Sequence, residues 1–453
     1  MMLGFGLAFA AVVVAFAGRA LIKGRQPQWV LLLAGLVMLA MAGLLGSSVS
    51  LDESTGWKGF DLFALVVESL RSKAGGIGVM IMVIAGFVAY MEHMGATESL
   101  VSLAMRPIEV LKRTPNLAAV LVLPLGQLLS LCVPSAAGLG LLMIASVHPI
   151  LLRIGLAPVA SVSIITLCTC FDMGPASANT ARAAELLGMD NVTYFLEHQL
   201  LLAGSFTLII MAIVYVQLRL RPGAMGGTTR KETKAAGDAP MHYALLPILP
   251  LILLIAFSEF VQPKSHPIIL DTSSAMLISL AVAVVVHAAS GASVKTIEAG
   301  VKACWLGMGR AFSGIVTLIV AADIFAQGLI QLGLVEGLLE LGDGLGSGAM
   351  AILFIFVALI FLGSILMGSG NATFFAFGPL VPGIANSLGI PGIRMLLPMQ
   401  LASSMGRAAS PIAGVVIATA EIAGVEPIAV ARRNAVPMGV AVIIMIIVET
   451  AWR

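Results

Sequence analysis

The feature that most constrains the fold is a polar interruption within an apolar run, Gly368-Ser369-Gly370-Asn371-Ala372-Thr373. Unpaired backbone groups in hydrocarbon cost several kcal/mol each, so this break has to line a cavity or lie inside protein. A second break, residues 403–411, follows in the next apolar segment and contains Arg407. Two such interruptions in neighbouring segments indicate the binding site of a transporter. The pattern predicts a secondary transporter for a small anion.

The composition places the chain in a lipid bilayer. Of its 453 residues, 59% are hydrophobic and 11% are charged, whereas soluble domains carry about 25% charged residues. We therefore expect an all-α polytopic membrane protein. We expect no nucleic-acid partner and no enzyme activity, since the sequence has no nucleic-acid-binding patch and no catalytic motif. The Gly-rich stretches lack the Lys-[Ser/Thr] ending of a nucleotide-binding loop, so transport is expected to use gradients rather than ATP, without a cofactor.

Apolar runs of bilayer-spanning length predict about ten membrane spans and two re-entrant helical hairpins. We divide the chain into a first repeat (1–218), a cytoplasmic linker (219–241) and a second repeat (242–453). Each repeat has one hairpin and one broken helix: 117–152 with 158–187, and 349–388 with 393–423. The remaining predicted spans are 3–22, 29–46, 76–90, 200–216, 243–257, 273–287, 311–333 and 436–448. A polar loop with an amphipathic piece, 60–70, is predicted before the span at 76–90.

An internal repeat supports this division. The offset that carries Ser135 onto Ser369 also carries Gly155 onto Gly389. A nearly equal offset matches a second set of residues: Pro175 with Pro411, Ala184 with Ala420, Glu185 with Glu421, Gly188 with Gly424 and Asp190 with Glu426. Such repeats are the structural basis of alternating access in many transporters.

The distribution of Lys and Arg predicts the orientation. If both hairpins return to the side they entered, each half crosses five times and the two halves are inverted. With the N-terminus outside, most Lys and Arg residues then fall on the cytoplasmic side, Arg310 and the basic linker among them. This is the asymmetry that the positive-inside rule requires. The first hairpin is thus predicted to enter from the cytoplasm and the second from outside.

Several motifs resemble one family. They are residues 80–91, 135–140, 325–328 and 368–372, and Gly406-Arg407-Ala408-Ala409-Ser410-Pro411. Together they are similar to the anaerobic four-carbon dicarboxylate carrier family C (DcuC), within the ion transporter superfamily, over nearly the whole chain. The resemblance implies transport of succinate, fumarate or malate across the bacterial inner membrane. It also implies a homodimer in which a mobile part, with both hairpins, moves like an elevator against a scaffold. Two positions depart from the family pattern: Asn179 replaces an acid, and Thr373 replaces proline.

Neutral donors at the hairpin tips are candidates for binding the anion. A dicarboxylate brings about two negative charges into a medium of low dielectric constant, which needs compensation. The second arms of the hairpins begin near Ala136 and Gly370, where helix N-termini offer N–H groups. The alternative is that Gly and Ser merely permit a tight turn. The predicted substrate-binding residues are Ser135, Ala136, Gly138, Ser369, Gly370, Asn371, Thr373, Arg407 and Ser410.

Arg407 is the principal cationic candidate. Its guanidinium can bind a carboxylate through two parallel hydrogen bonds, which a lysine cannot do. An intramembrane arginine is costly and is therefore a functional hypothesis by default. The alternatives are an internal ion pair or a cap on the carbonyl groups of a helix end.

Five residues are candidates for the coupling ion, which we expect to be H⁺ or Na⁺. Asp172 lies in the first-half break, where it binds a cation, pairs with Arg407 or caps a helix. Asp323, in the middle of a predicted span, is a proton carrier or the partner of another polar group. Ser177, Asn179 and Thr180 offer oxygen ligands that suit Na⁺, although hydroxyls in helices also bond back to the preceding turn.

Other functions remain open at this stage. A carrier for another organic anion, such as citrate, a short-chain fatty acid or an amino-acyl conjugate, is the main alternative. A channel needs a continuous polar pore rather than two closed hairpin tips. An intramembrane hydrolase would need Asp172 and Asp323 as a carboxylate pair.

Overall fold

The computed structural model describes residues 2–47, 51, 54–110, 114–220, 240–262, 268, 270–344 and 348–451. Within these ranges the chain is helical and contains no strand, so the predicted all-α class is confirmed. The helices are Met2–Ile22, Pro27–Leu44, Lys58–His93, Ala96–Val110, Pro115–Cys132, Ala136–Ser146, His148–Arg153, Pro158–Leu167, Ala178–Leu187, Asn191–Leu220, Met241–Ala256, Thr272–Ala289, Val294–Gln331, Leu334–Gly344, Gly348–Met367, Gly370–Phe377, Val381–Ser387, Ile393–Ala408, Gly414–Ala423 and Pro427–Ala451.

Nine helices in the described ranges are long and apolar enough to cross a membrane. Two of them, Pro115–Cys132 and Met350–Met367, belong to the segments predicted as hairpins. The segments predicted as broken spans at 158–187 and 393–423 are each divided into two shorter helices, as expected. The multi-pass prediction is therefore confirmed, while the count of ten spans stays a prediction, because length and hydropathy do not separate a hairpin arm from a span.

The two longest helices, Lys58–His93 and Val294–Gln331, have 36 and 38 residues, and we call them the long helices. The amphipathic piece at 60–70 and the predicted span at 76–90 form one continuous helix, and the residue at which the membrane-crossing part begins stays a prediction. A glycine at position 76 suggests a helix break, but Gly76 only kinks the helix within a π-helical turn, Ala74–Gly78. A second π-helical turn, Phe312–Val316, interrupts the other long helix.

The long helices pack against each other through glycines. A Cβ atom on Gly307 would lie 2.7 Å from the carbonyl oxygen of Ala85, and one on Gly300 would lie 2.7 Å from the ring of Tyr90. Small residues allow helix backbones to approach this closely. The contacts run in opposite chain order, so the two helices are antiparallel.

Both predicted hairpins fold back on themselves. In the second hairpin (Gly348–Met367 with Gly370–Phe377), the hydroxyls of Ser364 and Thr373 are 2.5 Å apart. Nine residues of straight helix would separate them by about 13 Å, so the chain reverses between them. In the first hairpin (Pro115–Cys132 with Ala136–Ser146), a Cβ atom on Gly126 would lie 3.1 Å from the Met143 methyl group. That both hairpins enter and leave a bilayer on the same side stays a prediction.

Each half also contains the broken helix expected from its sequence. The first broken helix comprises Pro158–Leu167 and Ala178–Leu187, and the second comprises Ile393–Ala408 and Gly414–Ala423. Both end at a left-handed glycine, Gly188 with φ 64° and Gly424 with φ 66°. The order of long helix, hairpin and broken helix is thus the same in both halves. The inverted relationship and the repeat boundaries stay predictions, and most of the linker lies outside the described residues.

Asn434 connects the two broken helices behind their interruptions. Its amide nitrogen donates to the hydroxyl of Thr166 at 2.9 Å and to the carbonyl oxygen of Ala408 at 2.7 Å. Its amide oxygen accepts from Ser163 at 2.6 Å. One fully buried side chain therefore holds the two helix ends at a fixed spacing.

Candidate functional site

The interruptions of the two hairpins and the two broken helices meet at one cavity of about 520 Å³. The long helices form its opposite wall. Six of the nine predicted substrate-binding residues line it, together with Asp172 from the coupling-ion set. These residues are Ser135, Ala136, Ser369, Gly370, Asn371, Arg407 and Asp172.

The hairpin tips present two helix N-termini to this cavity. Ser135 caps the helix Ala136–Ser146 by accepting from the N–H of Gly138 at 3.2 Å. Ser369 caps Gly370–Phe377 in the same way, with the N–H of Ala372 at 3.3 Å. The other N–H groups of each first turn have no acceptor within their own helix. Together with the helix dipole they form a favourable environment for an anion.

Glycine is required at the second tip. Gly368 has φ 69°. This left-handed conformation is energetically unfavourable for any residue that has a side chain. A Cβ atom there would also lie 2.8 Å from the carbonyl oxygen of Ile412. The tip therefore packs directly against the interruption of the second broken helix.

Two predicted substrate-binding residues support the second hairpin instead of lining the cavity. The buried hydroxyl of Thr373 bonds with Ser364 and with the carbonyl oxygen of Gly370 at 2.9 Å. Ser410 donates to the carbonyl oxygen of Ile365 at 2.6 Å. Both contacts fix the position of the tip. In the first hairpin, Gly138 contributes the N–H group that Ser135 accepts.

Arg407 lies at the C-terminal end of Ile393–Ala408 and reaches across to the other broken helix. Its Nη2 donates to the carbonyl oxygen of Thr169 at 2.8 Å, and its Nη1 lies 3.8 Å from Oδ2 of Asp172. Asp172 in turn accepts a hydrogen bond from Ser177 at 2.7 Å. The geometry combines two of the alternatives for Arg407, since it caps a helix end and faces an acid, while its side chain still lines the cavity.

The predicted sodium-ligating residues lie behind the cavity wall. Ser177 caps the helix Ala178–Leu187 through the N–H groups of Asn179 and Thr180. The hydroxyl of Thr180 donates to Gln199 at 3.1 Å and accepts from Gln400 at 3.3 Å. The Asn179 side chain is fully buried, and neither of its polar atoms has a hydrogen-bond partner among the described residues. An unpartnered buried amide supports the expectation of an additional ligand at this position.

Asp323 lies away from the cavity, in an ion-pair network between a long helix and the first broken helix. It pairs with Arg182, which is 1% exposed, and with Lys73, whose Nζ lies 3.3 Å from its carboxylate. Glu185 bridges the same two cations, with its carboxylate 2.7 Å from Lys73. Arg182 is not among the predicted site residues, although an intramembrane arginine beside a break is the same signal that pointed to Arg407.

Two further charged residues of the cavity, Glu92 and Arg310, were not predicted either. Both lie on the long helices and are exposed to the cavity. Glu92 continues a helical stripe that includes Val88 and Ala89, and Arg310 follows Gly307 by one turn. Helical periodicity groups each set on one face, but it does not indicate which face meets the hairpin tips.

Comparisons with known proteins agree with a transporter site. The family model DcuC, described as a C4-dicarboxylate anaerobic carrier, matches residues 5–451. The chain is 30% identical to the anaerobic C4-dicarboxylate transporter DcuC of Escherichia coli over 445 residues, covering 97% of this chain and 95% of that one. It is 33% identical over 446 residues to a probable DcuC transporter of Vibrio cholerae, with 96% and 95% covered.

Two solved structures share the fold. The YdaH transporter of Alcanivorax borkumensis aligns with a TM-score of 0.63 at 17% identity, covering 94% of this chain and 99% of that one. The MtrF efflux pump of Neisseria gonorrhoeae aligns with a TM-score of 0.56 at 14% identity, with 93% and 94% covered. At such identities the similarity concerns the architecture alone.

Proposed function

Because this chain belongs to the DcuC family of C4-dicarboxylate anaerobic carriers, we propose that it carries succinate, fumarate or malate across the bacterial inner membrane as a secondary transporter. The observation that carries the proposal is the cavity at which both capped hairpin tips and Arg407 meet. The guanidinium of Arg407 and the free N–H groups of the second tip each suit a carboxylate. Their convergence supports one shared anion site between the two halves.

One carboxylate of the substrate would bind at Arg407 and the second hairpin tip. The guanidinium supplies a charge-assisted bond. The first-turn N–H groups at Gly370 and Asn371 supply neutral donors, and the Ser369 cap holds this turn in place. Such donors replace the water molecules that a carboxylate loses on entering the membrane.

Movement of the site is proposed to occur by alternating access, either by exchange or with H⁺ or Na⁺. Both hairpins and both broken helices would move as one part against the long helices, within a homodimer. Asp172 is the proposed acid of the coupling site, since it faces Arg407 in the same cavity. Asn179 and Thr180 are the proposed sodium ligands, supported by the unpartnered amide of Asn179.

A carrier for another organic anion is the second candidate. The ionisable residues lining the cavity are Glu92, Asp172, Arg310 and Arg407, so their formal charges cancel. A neutral lining favours a monoanion, unless a dianion brings cations with it. Whether the cavity accepts a dianion therefore depends on whether a coupling cation binds with it.

The test is counterflow of labelled succinate in proteoliposomes. Unlabelled succinate, citrate, lactate and short-chain fatty acids compete, each at several Na⁺ concentrations and pH values. We expect succinate to exchange saturably and to be displaced by other C4-dicarboxylates in preference to lactate. Exchange of lactate or citrate without exchange of succinate contradicts the proposal.

A further inference from the structure

The cavity contains two arginines, and they differ in how their charge is used. Arg407 already donates to the carbonyl oxygen of Thr169 and faces Asp172. The guanidinium of Arg310 makes no hydrogen bond and no ion pair within 4 Å in the part of the chain that the structure describes. It interacts with Glu92 only at longer range. Arg310 is therefore the cation of this cavity whose guanidinium N–H groups are available to bind a ligand.

The two charged residues of the long-helix wall, Arg310 and Glu92, lie at different positions along the helix pair. Gly307 packs on Ala85 of the antiparallel partner helix, which fixes the register. In this register Arg310 lies roughly nine residues along the helix pair from Glu92, about 13 Å between their Cα levels at 1.5 Å per residue. The Cα atoms of the positive and the negative residue are thus offset along the helix pair, while their charges still interact at longer range.

The carboxylate of Glu92, on a long helix, lies beside the first hairpin tip. A Cβ atom on Gly138 would lie 3.1 Å from the Glu92 carboxylate and 3.0 Å from the hydroxyl of Ser135. A carboxylate of the protein itself therefore lies beside the first turn of Ala136–Ser146. Its charge disfavours a substrate carboxylate at this tip, because like charges at close range repel.

At the second tip, the three atoms nearest to a Cβ atom on Gly370 all belong to Ser403, and the other acid of the lining, Asp172, faces Arg407. The second tip faces the same cavity as Arg407 and Arg310. A substrate with one carboxylate needs only Arg407 and the tip. A substrate with two carboxylates needs a second cation, and Arg310 is the remaining one.

We propose that Arg310 binds the second carboxylate of the substrate and so determines the preference for dicarboxylates over monocarboxylates. The inference rests on the proposed function. The substrate then connects Arg407, on a broken helix, with Arg310, on a long helix. Glu92 contributes by keeping the second carboxylate away from the first tip.

The experiment compares Arg310→Gln, Arg310→Lys and the unmodified protein in proteoliposomes. Competition against labelled succinate is measured with unlabelled succinate and with butyrate, which has the same number of carbons and one carboxylate. Lys302→Gln is the matched control, since it removes a positive charge from the same helix at an exposed position that does not line the cavity.

We expect Arg310→Gln to weaken succinate binding by roughly ten- to a hundredfold, the usual size of a charge-assisted hydrogen bond, and to weaken butyrate binding less, since butyrate loses only the longer-range attraction of the charge. Arg310→Lys restores part of the loss because it keeps the charge but not the planar fork. Lys302→Gln behaves like the unmodified protein. An unfolding temperature in detergent equal to that of the unmodified protein shows that Arg310→Gln is folded.

Two outcomes overturn the inference, and they are distinguishable. If the unmodified protein exchanges succinate and Arg310→Gln has the same ratio of succinate affinity to butyrate affinity, the proposed role of Arg310 is excluded while the proposed function stands. If the unmodified protein does not exchange succinate at all, the proposed function fails and the inference fails with it.

Discussion

Arg407 donates a hydrogen bond from Nη2 to the carbonyl oxygen of Thr169, 2.8 Å away, across the interruptions of the two broken helices. Thr169 directly follows the helix Pro158–Leu167 and Cys168. The bond therefore fixes the relative position of two segments that are more than two hundred residues apart in the chain. The same guanidinium faces the cavity, so its structural role and its proposed binding role are combined in one group.

Replacing Arg407 by lysine should reduce succinate affinity by tenfold or more while the protein remains inserted. A lysine ammonium cannot reproduce two parallel bonds to a carboxylate together with the bond to Thr169. The measurement is the concentration dependence of succinate counterflow in proteoliposomes. Arg432→Lys, at an exposed position outside the cavity, is the control. Unchanged affinity in Arg407→Lys would remove this residue from the binding site.

Replacing Asp172 by asparagine should alter how succinate counterflow depends on pH and on Na⁺. The substitution keeps the size of the side chain and its bond to Ser177, but it removes the negative charge that faces Arg407. The cavity lining then carries one net positive charge, so a dianion binds with less need for an added cation. Counterflow with the same pH and Na⁺ dependence as the unmodified protein would exclude Asp172 as the coupling residue.

Replacing Asp323 by asparagine should destabilise the protein by about 3–5 kcal/mol, the usual cost of breaking a buried ion pair from one side. Arg182 is 1% exposed and would lose one of its two carboxylate partners. Thermal unfolding in detergent measures the effect, with Glu340→Gln at an exposed position as the control. If pH dependence of counterflow changes while stability does not, Asp323 is a proton carrier and its structural role is the lesser one.

Two glycines of one long helix should respond to alanine in opposite directions. A Cβ atom on Gly307 would meet the Ala85 backbone, so Gly307→Ala should destabilise the protein by roughly 1–3 kcal/mol. Gly309 has open space at the same position. Gly309→Ala should therefore stabilise the protein by up to about 1 kcal/mol through helix propensity. Equal unfolding temperatures for the two variants would contradict the close packing of the long helices.

The interruptions were predictable because their cause is local. Gly, Ser, Asn and Pro within apolar runs specify where a helix ends, and Ser135 and Ser369 were placed at the hairpin tips on that basis. The structure gives these serines nearly the same backbone angles, φ −128° and ψ 103° against φ −132° and ψ 110°. A cap is formed within four residues, so the sequence alone contains all the information needed.

The charged residues on other helices were harder to place because their partners are distant in sequence. Arg182 meets Asp323 across 141 positions, and no periodicity indicates that pairing. Arg310 carries a positive charge near the cytoplasmic end of a predicted span, which the positive-inside rule already explains. That it faces the cavity depends on which side of the long helix meets the hairpin tips, and this is decided by tertiary packing.

The caps on the broken segments have a consequence for the speed of transport. Ser135, Ser177 and Ser369 satisfy helix N-termini from within their own segments, and Gly188 and Gly424 end helices in the same self-contained way. Sliding these segments past the long helices would therefore rupture no helical turn. The activation barrier of the proposed movement would come from side-chain contacts such as the buried Arg182–Asp323 pair, so substitutions at such contacts should change the turnover rate without melting any helix.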